Sequence, residues 1–103
     1  MYSILTLRNA PKVPFRFDGR ILYTTPGFEL VHLTLHPGEQ MEMHVQPFDV
    51  LFFVISGSGV LRVGNEFIEV GENTMVSVIK GVERAWSNPG EMDLKILVNK
   101  LIL

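Results

Sequence analysis

At 103 residues, with 47% hydrophobic and 19% charged side chains, the chain has the composition of one packed domain and lacks the polar, charge-rich balance of a disordered one. A formal net charge of -2 without any basic run offers no footprint for nucleic-acid phosphates or anionic membrane surfaces. The absence of cysteine excludes disulfides, thiolate zinc sites and cysteine nucleophiles, and makes a reducing cytoplasm the expected compartment.

The apolar start, Tyr2 to Leu7, lacks a leading positive region and is too short before Arg8 for a signal peptide, so it reads as a short strand. From Arg8 to Arg20 the chain carries Pro11, Pro14 and Gly19 and no periodicity, which predicts a meandering loop over the body of the fold. Pro26-Gly27, Pro37-Gly38 and Pro89-Gly90 mark turns, because proline fixes φ and glycine accepts positive values. Phe28 to Leu35 sets Val31, Leu33 and Leu35 against His32 and Thr34, the period of a half-buried strand. Val50 to Ile55, the longest uninterrupted apolar run, is a strand apolar on both faces and far too short to span a membrane.

Gly57-Ser58-Gly59 is expected to form a tight hairpin turn, since it lacks the third glycine of a dinucleotide loop. Val60 to Val63 returns through Gly64-Asn65 into Phe67 to Val70 as a hairpin. Met75 to Ile79 and Leu94 to Leu103 complete a set of short strands at regular spacing. The β-branched content of the last favours strand over helix. Such a series predicts an all-β sandwich or barrel of residues 1-103 as one domain.

Two stretches carry chemistry: Pro37 to Gly57, PGEQMEMHVQPFDVLFFVISG, and Gly71 to Asn88, GENTMVSVIKGVERAWSN. Together they resemble the two motifs of the cupin family, and the likeness runs from about Phe28 to Asn88. Gly38, His44 and Gly57 stand at the family's spacing for the first motif; Gly71, Gly81 and Asn88 do so for the second. The resemblance implies a jelly-roll barrel, a double-stranded β-helix of two antiparallel sheets. It also implies a degenerate metal site: Gln46 replaces the second histidine, Val50 the glutamate and Arg84 the last histidine. Asp49 neighbours the glutamate position, but on a strand a one-residue offset points to the opposite face unless a bulge intervenes.

If the first motif is one continuous strand, His44, Gln46, Val50, Phe52 and Val54 share the inward face. One imidazole and one neutral amide are a poor donor set for a divalent transition metal, and Arg84 adds a permanent cation beside them. His44 and Gln46 are nevertheless the only place left for such a metal, and no cofactor is expected. The residues define a pocket of His44, Gln46, Phe52, Arg84 and Trp86 suited to a small anionic or polar molecule. Arg84 has a competing reading as the partner of Glu42 or Glu83, and a register slip would point Glu83 inward instead. His32 and His36 are ~13 Å apart along a strand, too far to share an ion, and both are expected to face solvent.

Three functions remain open from sequence. The chain is a small-molecule-binding cupin without a conventional metal, a metal-dependent isomerase or dioxygenase built around His44 and Gln46, or a structural dimerisation module with a filled barrel. Phe53, Ile55 and the two terminal apolar segments call for burial beyond one small core, so a homodimer is expected, with the N- and C-terminal strands at its interface.

Overall fold

A computed structural model describes residues 1–14 and 16–102. Eight strands follow in order: β1 (Asp18–Thr25), β2 (Phe28–Leu35), β3 (Asp49–Ser56), β4 (Gly59–Val63), β5 (Glu66–Val70), β6 (Met75–Val78), β7 (Arg84–Ser87) and β8 (Leu94–Leu101). They form two antiparallel sheets, one of five strands in the order β1-β2-β8-β3-β6 and one of three in the order β5-β4-β7. There is no helix among the described residues.

The alternation in the sequence decides what the large sheet turns inward. Val31, Leu33 and Leu35 of β2 pair across β8 with Val98, Ile96 and Leu94, and β8 in turn aligns Val98 and Ile96 with Phe52 and Val54 of β3. All of these side chains are buried, and Leu61, Val70 and Trp86 meet them from the small sheet. Phe52 and Trp86 join the two layers edge to face, with ring centroids 5.5 Å apart and planes at 81°.

Four features differ from the sequence reading. β1 was hidden by a bulge: Ile21 pairs with Val31 but Tyr23 pairs with Leu30, so the period of two breaks at Leu22. Gly57-Ser58-Gly59 is tight but closes no hairpin, because β3 and β4 belong to different sheets and the turn carries the chain between them. Gly57 has φ 80°, and a Cβ there would lie 2.3 Å from the Asp93 carbonyl oxygen, which is why this crossing needs glycine.

His32 is buried and not exposed. It does point to the outer face, as its parity requires, but its strand neighbours Arg20 and Leu97 flank it there. Residues 1–6 form no strand within the chain, and Tyr2 and Ile4 are exposed.

Candidate functional site

The site is built by pairing the two motifs backbone to backbone. Gly38 N–H donates to the Asn88 carbonyl (2.8 Å), Asn88 N–H to Glu39 (2.9 Å) and Met41 N–H to Trp86 (2.9 Å). Farther along, His44 and Arg84 exchange both hydrogen bonds at 3.0 Å each. The first motif is therefore not one continuous strand from His44 to Val54. Residues 38–44 lie beside β7, and only Asp49–Ser56 belongs to β3.

Directly opposed residues in an antiparallel pair project to one face, so His44 and Arg84 are placed on the same side by this exchange. The bridges Gln40 to Ser87 and His44 to Arg84 differ in register by one. One extra residue is thus accommodated at Glu42-Met43, and it allows Met41 and His44 both to line the interior.

Asn88 locks this pairing. Its side-chain NH2 donates to Leu35 O (2.9 Å) and Met92 O (2.8 Å), and its Oδ1 accepts from Gly90 N–H (3.0 Å). A buried amide with three bonds to two backbone segments ties the end of β2 to the turn before β8, and the Asn88 backbone joins both to the start of the motif pairing.

The barrel is filled at one end and hollow at the other. Leu35, Val54, Leu61, Leu94 and Ile96 are fully buried and close the Asn88 end. The opposite half encloses a cavity of about 480 Å³. All five side chains singled out from sequence, His44, Gln46, Phe52, Arg84 and Trp86, line it. Apolar residues contribute most of the wall, including Val31, Val50 and Val98 of the large sheet and Val13 and Phe17 of the loop before β1. Arg16, Glu42, His44, Gln46 and Lys100 supply polar groups.

Sequence reasoning placed a loop over the barrel but did not identify Val13, Arg16 and Phe17 as wall. Their signal was two apolar residues in a Pro-rich, aperiodic stretch. Lys100 was also missed, although it shares the parity of Val98; it is paired there with Glu29 at 3.2 Å.

Arg84 decides the electrostatics. It is 1% exposed, whereas Glu83 is exposed, so the register of the second motif is the one with Arg84 inward. Neither Glu42 nor Glu83 forms a salt bridge with it among the described residues. Its Nη1 donates to Val82 O at 3.3 Å, and its Nε has no protein partner among the described residues. Burial pushes the guanidinium pKa below its ordinary value. Trp86 Nε1 is likewise buried without a hydrogen-bond acceptor among the described residues.

A conventional metal centre does not fit this donor set. Among the described residues no group of three or more His, Cys, Asp or Glu side chains is placed to hold an ion. His44 Nδ1 lies 3.3 Å from the Glu42 carbonyl oxygen, Val50 is a buried alkyl group, and the Arg84 cation stands where the last imidazole would be. Asp49 does not substitute for Val50. β3 pairs without irregularity from Asp49 to Val54, Asp49 is exposed, and its Oδ1 accepts from Lys80 N–H at 2.8 Å.

Residues 31–99 match the family described as a cupin domain. The chain belongs to the cupin family. This cupin is 32% identical over 74 residues to the tetracenomycin polyketide synthase protein TcmJ of Streptomyces glaucescens, a match covering 71% of the chain and 49% of TcmJ. The chain thus spans about half the length of that curated relative. The polyketide cyclase RemF of Streptomyces resistomycificus superposes with a TM-score of 0.86 at 17% identity, over 100% of this chain and 81% of RemF. A double-stranded β-helix protein from Klebsiella pneumoniae gives 0.83 at 17% identity, over 98% and 90% of the two chains. These likenesses establish the fold of this cupin.

Proposed function

We propose that this cupin binds a small anionic or polar molecule in the hollow half of its barrel, without a conventional metal centre. The observation that carries the reading is the Arg84 guanidinium, buried on the wall of a cavity of about 480 Å³ with no carboxylate paired to it among the described residues. A buried cation without a counter-charge is costly, and an anion entering the cavity offsets that cost through charge-assisted hydrogen bonds. His44 opposite it and Gln46 beside His44 add polar contacts.

The hollow end weighs against a purely structural module, whose barrel would be filled. Elemental analysis of protein purified without chelator separates the remaining readings. We expect well under one transition metal per chain, with melting raised by small carboxylates or phosphates. About one metal per chain, lost in His44→Ala, supports instead an isomerase- or dioxygenase-type enzyme.

We also propose a two-fold homodimer through the outer face of the large sheet. Leu97, Phe53 and Met75 lie in one register row there, and Leu30 and Leu51 in the next. Met75 and Ile55 are exposed, as are Tyr2 and Ile4 of the N-terminal segment. Apolar sheet surface of this extent calls for a partner, and a self-complementary face gives a closed pair. Light scattering should return twice the chain mass; a strict monomer at micromolar concentration contradicts the proposal.

A further inference from the structure

Side-chain size on two strands contributes to the hollow. At the filled end β2 and β8 turn Leu35, Leu94 and Ile96 inward, and toward the hollow end they turn Val31 and Val98 inward, while β3 carries valine at both ends, Val54 and Val50. Shorter side chains leave space that the small sheet does not fill, since Trp86 rests against Phe52 and is fixed by it. A cavity of about 480 Å³ is roughly three times the ~150 Å³ known to hold one benzene ring. An acid of two to four carbons leaves most of such a space empty.

The wall chemistry is uneven. Val13, Phe17, Val31, Leu33, Phe52 and Val98 offer no hydrogen bond to a polar skeleton. Permanent cations outnumber carboxylates in the lining: Arg84 and Arg16 stand against Glu42 alone, while Lys100 is matched by Glu29. Arg84 is buried, whereas Arg16 and Glu42 are exposed, so the unpaired charge sits deep and the others stand toward solvent. Phe17, Phe52, Trp86 and Met41 in the lining favour flat rings over flexible chains, because aromatic and thioether groups make favourable contacts with ring systems and a rigid ligand loses little rotamer freedom on binding.

Resting on the small-molecule reading above, we propose that the ligand is a rigid aromatic acid of two or three rings, its ionised oxygen on Arg84 and its rings against the valine and aromatic wall. Such a molecule uses the two halves of the lining at once. A neutral aromatic leaves the cation unpaired, a small acid leaves the wall uncovered, and a fatty acid covers it at a larger cost in chain entropy.

The test is calorimetric titration of the full chain with 2-naphthoate, benzoate, decanoate, 2-naphthamide and malonate. Trp86, the only tryptophan, reports binding at the cavity by its fluorescence. We expect 2-naphthoate to bind at least ten-fold more tightly than each of the others and to change the Trp86 emission. In Arg84→Gln the preference for naphthoate over naphthamide should fall to within about two-fold while naphthamide still binds; the wild-type ranking decides even if that variant does not fold. Malonate or decanoate binding as tightly as naphthoate overturns the aromatic-acid proposal and leaves the anion-binding reading standing. No binding by any acid overturns both.

Discussion

Arg84 is held inward by its backbone, not by a salt bridge. The two hydrogen bonds exchanged with His44 orient the residue, and its neighbour Trp86 is packed against Phe52 from the other sheet. The guanidinium therefore adds little to the stability of the chain alone. Replacing even a buried ion pair with well-packed apolar side chains is often neutral or stabilising by about 1–4 kcal/mol, and a buried cation without a counter-charge has no pairing energy to lose. Arg84→Met should melt at or above the wild-type temperature while losing the stabilisation that acids give; a lower melting temperature would mean that the cation is structural. Two histidines give a second test. His36 Nδ1 lies 2.9 Å from Asp93 Oδ1, and that hydrogen bond and charge raise its pKa above the ordinary 6.5. Its contribution is fully present below the unfolded-state value and is lost as pH rises through the higher folded value. Burial first, and then Lys95, lower the pKa of His32. Its contribution is present above the unfolded value and is lost as pH falls through the lower folded one. His36→Ala should therefore destabilise the protein more at about pH 5 than at about pH 8, and NMR titration should place the two midpoints on opposite sides of 6.5.

Among the elements, the turn from β3 to β4 bears the tightest constraint. Gly57 and Gly38 both have positive φ, 80° and 85°, but a Cβ on Gly57 meets the Asp93 backbone and one on Gly38 meets nothing within 4 Å. Gly38→Ala should cost about 1–2 kcal/mol, the price of the left-handed conformation alone. Gly57→Ala should cost more than about 3 kcal/mol or prevent folding, because backbone must move. Comparable melting temperatures for the two would contradict the close approach. The same turn marks a limit of sequence reading. Glycine-serine-glycine between two apolar strands is compatible with a hairpin and with a crossing between sheets, and only the long-range pairing of β3 with β8 and β6 distinguishes them. β2 was legible from its alternation and β8 from its β-branched content; β1 was not, since its bulge at Leu22 disrupts the period on which recognition depends.

Across the whole molecule, the two motifs specify a barrel whose ends have different roles. Leu35, Leu61, Leu94, Ile96 and the three-bonded Asn88 close one end, and the other is hollow, with Val31 and Val98 of the large sheet and Trp86 of the small one in its wall. His44, Gln46, Phe52, Arg84 and Trp86 line one cavity, and motif spacing pointed to them, but the parity argument for His44 and Gln46 assumed a continuous strand to Val54 that the chain does not form. They did not yield the loop residues Val13, Arg16 and Phe17, whose placement comes from tertiary contact and not from any local period. The burial of His32 likewise arises from neighbouring strands on a face that alternation assigns to solvent. Function turns on what meets the Arg84 guanidinium, so the most direct measurement is a high-resolution crystal structure of protein purified without chelator and crystallised with an aromatic acid. We predict carboxylate density within hydrogen-bonding distance of Arg84 and ring density along Val31, Val98 and Phe52. A metal ion bound by His44 and Gln46, or Arg84 paired with Glu42 across the cavity, would contradict it.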